Sequence, residues 1–277
     1  MIIMVSEIIV NEFLQSFSTP LLDLFFGIIT FFGHPLPWII VAAWLFWLGY
    51  EKRSFMLMSI ILVSSLFAGF FKILIGRVRP EGILVLENQA GTYSMPSGHA
   101  TLAGSIYSFY EKKIKLKTKY VAIILVILVL ISRVYLGVHF VSDVLAGLLL
   151  GYILGKALCK LERKVKKSHL KVSKFSEEKL LLIIFVIMIV TVFVLPETFY
   201  LGYLLFGYYF GFVIYRDSKW KIKTENKKLN IIFGTIILGI LGYISFNSSG
   251  YFGIVGFFIT GLYITLGWPF ILNKTKL

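Results

Sequence analysis

Cysteine is almost missing from this chain. A single thiol, Cys159, stands among 277 residues, which excludes an internal disulfide framework and leaves no cysteine-based zinc ligand set. Charge is thin as well: Asp, Glu, Lys and Arg make up 15% of the residues, and acids are the scarcer sign, 14 against 28 Lys and Arg. The first ten residues lack a basic start and a small-residue cleavage site, so no cleavable signal is expected. What fills the chain instead is apolar. It is 58% hydrophobic with a mean hydropathy of +0.86, whereas soluble domains sit near half apolar. This is the composition of an integral membrane protein.

The net charge of +14 would suit a nucleic-acid binder, but the cations fall in short breaks between apolar runs. Lys52 and Arg53, residues 112–119, 160–179 and 216–228, and Lys274 with Lys276 form these breaks. That is the positive-inside pattern of a polytopic protein among anionic lipids, and no nucleic-acid partner is expected. The apolar runs predict an all-α transmembrane bundle: spans over 19–33, 38–50, 54–75, 97–110, 120–136 and 138–159, then 180–195, 199–215, 229–246 and 251–272. Ahead of them, Ile8, Ile9, Phe13 and Phe17 stand against Ser6, Glu7, Asn11, Glu12 and Gln15, an amphipathic helix suited to the membrane surface. The chain thus divides into an interfacial helix (1–18), a six-span core (19–159), a basic cytoplasmic linker (160–179) and a four-span C-terminal region (180–277). With every basic break inside, the ten alternating spans put both termini in the cytoplasm and Asp23 near the inner end of the first span. Arg79, His99, Arg133 and His139 then share the opposite, extracytoplasmic face.

The chemically capable residues gather in three clusters: Lys72 with Arg79 and Pro80; Pro96, Ser97, Gly98 and His99; and Ser132, Arg133, His139 and Asp143. Cations among apolar segments are costly and call for a functional reason. Lys72, Arg79 and Arg133 suit phosphate oxygens, Arg as a bidentate fork and Lys as a point charge. Ser97 and Gly98 stand where a loop enters a helix, whose free N–H groups bind anions. His99 and His139 are the natural acid, base or nucleophile at neutral pH. Asp143 follows His139 by four positions, which on a helix puts both on one face, so the carboxylate can orient the imidazole. Cations for a phosphoryl group, an oriented nucleophile and a proton donor make a phosphoryl-transfer site that needs no metal or cofactor.

In this order and spacing the clusters resemble the type 2 phosphatidic acid phosphatase family. The family pattern is Lys with Arg-Pro seven residues on, then Pro-Ser-Gly-His, then Ser-Arg with His six and Asp ten beyond the Arg, and every position matches. The resemblance covers the central quarter of the chain and implies a membrane-embedded lipid phosphatase with that family's six-span core. It implies that His139 attacks phosphorus to form a phosphohistidine, that Asp143 orients it, and that His99 protonates the leaving oxygen. Lys72, Arg79, Arg133, Ser97, Gly98 and Ser132 would then hold the non-bridging oxygens. The expected substrate is an amphiphile: polyprenyl diphosphate, phosphatidate, phosphatidylglycerophosphate and sphingoid-base phosphate all fit. A lipid phosphotransferase with the same intermediate, and a transporter or anion-binding scaffold, are the alternatives.

The remaining polar residues receive plainer readings. His34 is read as a packed histidine, Arg77 as a headgroup anchor, and Tyr93 and Tyr135 as interfacial aromatics. Gly234, Gly239 and Gly242 are read as points of close helix packing.

Overall fold

The computed structural model describes residues 2–86, 92–167, 186, 189, 199–218 and 227–275. Among these, every regular element is helical. The helices are α1 (Ile2–Gln15), α2 (Pro20–Phe31), α3 (Pro35–Trp47), α4 (Glu51–Ile75), α5 (Gly98–Tyr110), α6 (Leu116–Tyr135) and α7 (Val141–Lys167). After them come α8 (Phe199–Asp217), α9 (Lys227–Asn247), α10 (Gly250–Leu262), a π-helical turn (Tyr263–Gly267) and α11 (Trp268–Thr275). Five stretches among the described residues, α4, α6, most of α7, most of α9 and Gly250–Lys274, are long and apolar enough to cross a membrane. The expected span over 180–195, apart from residues 186 and 189, and most of the linker over 160–179 lie outside the described residues.

The first two expected spans take a different form. α2 and α3 have 12 and 13 residues, about 18–20 Å each, short of the ~30 Å hydrocarbon core. Together they pass as one path bent by 49°. Pro35 restarts the helix directly after the Gly33–His34 turn, so no loop is present for a reversal.

Contacts divide the chain into two units, Met1–Trp38 with Ser59–His169, and Ile39–Met58 with Leu170–Leu277. In the first unit α2 runs antiparallel to α6. The Tyr135 hydroxyl donates to Asp23, the Arg133 guanidinium donates to Thr30 Oγ1 at 2.6 Å, and Gly33 lies against Val129. Asp23 therefore sits level with the α6–α7 turn, not at the inner end expected, and Tyr135 is buried, not an interfacial aromatic. α5 lies on α7 over small residues. A Cβ on Gly147, Gly151 or Gly155 would strike the carbonyl of Ser97, Thr101 or Ser105, and Ser105 Oγ donates to Gly151 O at 3.0 Å. At their far ends Lys156 pairs with Glu111, and Lys113 with Glu162 at 2.5 Å.

α1 turns Glu7, Asn11 and Gln15 toward protein: Asn11 is fully buried, while Ile9, Phe13 and Phe17 are exposed. Asn11 Nδ2 donates to Val134 O at 2.8 Å and His139 O at 3.0 Å; Gln15 Nε2 donates to Leu84 O at 2.6 Å and Tyr135 O at 2.9 Å. These bonds hold α1 to the α6–α7 turn. α1 thus lies at the same end of the first unit as His139, where the alternation of ten spans had put the chain's start on the opposite face.

The second unit is an aromatic bundle. Trp47, Tyr263 and Trp268 meet edge to face or tilted, each pair with ring centroids 6.1 Å apart. Buried Asn230 ties two of them: its Nδ2 donates to Trp47 O at 3.0 Å and its Oδ1 accepts from Trp268 Nε1 at 2.5 Å. Gly234 packs against the Trp47 and Trp268 rings as expected. Gly239 and Gly242 face open space instead. Their helix spacing gave no sign of which face is covered.

Candidate active site

The α6–α7 turn sets the centre. Gly137 adopts φ +75°, a conformation that disfavours side chains, and a Cβ there would strike Leu84 O. The turn also receives Leu86 N, which donates to Leu136 O at 3.1 Å. Residues 132–140 are buried throughout. α7 begins at Val141, so His139 precedes the helix and does not share its face with Asp143 as expected. The pairing survives by another geometry. Asp143 lies in the first turn of α7, its Oδ2 accepts Phe140 N at 2.8 Å, and the same oxygen is 3.6 Å from His139 Nδ1.

The other ring nitrogen, His139 Nε2, faces Arg79 Nη1 at 3.3 Å. Arg79 is itself fixed. Nη1 donates to Val138 O at 2.6 Å, Nε donates to Thr92 Oγ1 at 2.8 Å, and Nη2 donates to the same hydroxyl. Arg133 is fully buried in the last turn of α6. Arg133, Arg79 and Lys72 lie close enough to act electrostatically on both His99 and His139, and His99 in turn acts on His139. His139 stands in the turn between two spans. Burial first, then Arg133, Arg79 and Lys72, push its proton affinity well below that of an ordinary histidine, so the ring is neutral at pH 7.

His99 occupies the first turn of α5. Ser97 caps that helix: its Oγ accepts Ala100 N at 3.5 Å, and its own N–H donates to Asp143 O at 3.0 Å, joining the start of α5 to the start of α7. Gly98 follows at the helix entrance, where backbone N–H groups favour an anion. The Met95–Pro96 peptide ahead of it is cis.

Lys72, Arg79, Ser97, Gly98, His99, Arg133, His139 and Asp143 therefore occupy one end of the first unit. Ser132 differs: its hydroxyl donates to Val129 O at 2.7 Å within its own helix. Sequence reasoning also passed over supporting groups. Thr92 and Thr30 hold the two arginines. Arg77, read as a headgroup anchor, donates to Asp143 Oδ1 at 2.8 Å and lies 4.2 Å over the Phe140 ring. His34, read as merely packed, has its ring centroid 5.8 Å from that of His99. None of these four contacts has a signal in the linear chain.

Comparison with known proteins gives consistent matches. Residues 53–167 match the PAP2 superfamily. The chain is similar to the lipid A 4'-phosphatase of Porphyromonas gingivalis, 32% identical over 160 residues, covering 51% of this chain and 66% of that protein. It is similar to phosphatidylglycerophosphatase B of Bacillus subtilis, 31% identical over 143 residues, covering 48% of this chain and 70% of that protein. It thus spans about two thirds of the length of these relatives. Among solved structures, the transmembrane PAP2 type phosphatidylglycerolphosphate phosphatase of Bacillus subtilis superposes with a TM-score of 0.52 at 28% identity, over 59% of this chain and 87% of that one.

Proposed function

The chain belongs to the PAP2 superfamily, and from that premise we propose that it is a membrane-embedded lipid phosphatase working through a phosphohistidine without a metal ion. One observation carries the reading. His139 turns Nδ1 toward Asp143 and Nε2 toward Arg79, with Arg133 and Lys72 acting on the same ring.

Nε2 attacks phosphorus as the phosphorus–oxygen bond to the lipid breaks; the bound phosphate offsets Arg133, Arg79 and Lys72, so that His99 carries a proton and gives it to that oxygen. Asp143 stabilises the cationic character that His139 gains. Neutral His99 then takes a proton from water; the hydroxide displaces His139 from phosphorus, and inorganic phosphate leaves. Arg79, Arg133, Lys72 and the N–H groups at the start of α5 hold the non-bridging oxygens throughout.

The far ends of α5, α6 and α7 carry Lys112, Lys113, Lys115, Lys117, Lys119, Lys160 and Arg163, so the positive-inside bias supports a site on the extracytoplasmic face. A substrate phosphate would sit at headgroup level with its tail among the helices. The names of the relatives support lipid A and phosphatidylglycerophosphate as the kinds of molecule to try first.

The test is phosphate release by purified protein across lipid monophosphates and diphosphates, with and without EDTA, beside His139→Ala. The expected result is turnover that persists in EDTA and falls by about 10⁴-fold or more in the variant. Near-normal turnover by His139→Ala would overturn the reading. Phosphate appearing on an acceptor lipid in place of free phosphate would make the protein a phosphotransferase.

A further inference from the structure

Arg77 is not part of the anion pocket. Its Nη1 donates to Asp143 Oδ1 at 2.8 Å and to Ser142 Oγ at 2.5 Å, and its Nη2 donates to Glu7 Oε2 at 2.5 Å. Glu7 closes the ring, its Oε1 accepting Ser142 N at 2.9 Å. The cluster is largely withdrawn from solvent: the side chains of Glu7, Arg77 and Asp143 are 15%, 11% and 0% exposed. Burial works to raise the proton affinity of Glu7, but the hydrogen bonds from Arg77 and Ser142 outweigh it, so Glu7 is held ionised.

Two physical consequences follow. The first is geometric. Arg77 occupies Oδ1 of Asp143, which leaves Oδ2 to face Phe140 N and His139 Nδ1. Without it the carboxylate loses its charged partner on Oδ1 and is held less firmly, by Phe140 N on Oδ2. The second is electrostatic. Arg77 alone would cancel the charge of Asp143; with Glu7 on the other side, two carboxylates share one guanidinium and a net negative charge remains beside His139. Asn11, one helical turn on from Glu7, holds the carbonyl of His139 itself.

We propose that α1 is a working part of the catalytic assembly: Glu7, acting through Arg77, is a positioning residue that fixes Asp143 behind His139 and leaves the cluster with a net negative charge. The inference rests on the reading of His139 as nucleophile. A helix at the headgroup surface thereby sets the rate of the chemistry and not the grip on the substrate.

The experiment uses the full chain in detergent with dioctanoyl phosphatidate and farnesyl diphosphate as probes. Variants are Glu7→Gln, which keeps the shape and removes the charge, Arg77→Lys, and both together, each with a thermal unfolding measurement. Glu7→Gln is expected to lower kcat by about tenfold with KM within about twofold, as an interaction felt only in the transition state requires. Combined with Arg77→Lys it should cost less than about threefold more, since both act on one carboxylate. Glu7→Asp should restore part of the rate by returning the charge. Normal kcat in the folded Glu7→Gln and Arg77→Lys proteins, or a fall in Tm with kcat unchanged, would overturn the proposal. His139→Ala separates the two readings: if it is dead while Glu7→Gln is normal, only this inference fails, and if it is active, the nucleophile assignment fails first.

Discussion

The two units bury polar groups in different ways. In the second unit, among the described residues, the buried serine, threonine and asparagine side chains end on each other, on Tyr and Trp polar atoms or on helix backbone, and none of them carries a charge. Ser54 Oγ donates to Ala42 O at 2.7 Å, Thr265 Oγ1 donates to Tyr208 O at 2.9 Å, and Asn230 bridges Trp47 and Trp268. In the first unit the fully buried set includes Arg133, His139 and Asp143, with Arg79 and Lys72 acting on the same ring. A neutral group closed onto a carbonyl spares the helix pair an unsatisfied donor and asks for no ligand. Several cations converging on two imidazoles repel one another until an anion arrives, and the fold carries that cost only where an anion is used. The first pattern is that of packing, and the second is the one the proposed site requires.

The comparison breaks most sharply at Asp143. Asp143→Asn keeps an acceptor for Phe140 N but removes the charge from His139 and from Arg77. Turnover should fall by about 10³- to 10⁴-fold with little change in KM, as for the orienting carboxylate of a triad. Steady-state phosphate release checks it. A loss below about tenfold would show that the first unit's buried charge is packing after all.

Asn230→Ala makes the matching cut in the second unit. It strands the Trp268 N–H and the Trp47 carbonyl, so stability should drop by about 1–2 kcal/mol, read by thermal unfolding in detergent. Activity per folded molecule should stay within about twofold. A large fall in kcat at unchanged stability would mean that the second unit serves the chemistry.

How much of this was legible in the chain follows from the same contrast. His99, His139, Lys72, Arg79 and Arg133 stood out because such side chains are rare among apolar segments, and their order carried the family resemblance. What the spacing of residues withholds is direction. The spacing of Glu7, Asn11 and Gln15 shows that α1 has two unlike faces but not which one meets protein. Beside a membrane the protein interior can be the more polar side, and here it is. Tyr135 and Arg77 misled for a related reason: each can anchor at headgroups or turn inward, and only the partners Asp23 and Asp143, distant in sequence, decide. The His139–Asp143 spacing suggested a helical face, whereas Gly137 ends the regular backbone first and the helix restarts two residues beyond His139.

Ser132 sharpens the comparison at its finest grain, since it lies in the active unit yet bonds in the manner of the other one. Its hydroxyl donates to Val129 O at 2.7 Å, a bond along its own helix like that of Ser245 to Leu241 O at 2.6 Å in the second unit. A donor used this way cannot also reach a phosphate oxygen without leaving its carbonyl, and that carbonyl keeps its helical partner either way. Ser132→Ala should therefore change both kcat and KM by less than about twofold and stability by less than about 0.5 kcal/mol, because back-bonding of this kind contributes little. Kinetics on dioctanoyl phosphatidate measure it. A rise in KM of tenfold or more at unchanged Tm would mean that the hydroxyl swings to the substrate on binding, and would return Ser132 to the set of phosphate-holding residues that its place before Arg133 first suggested.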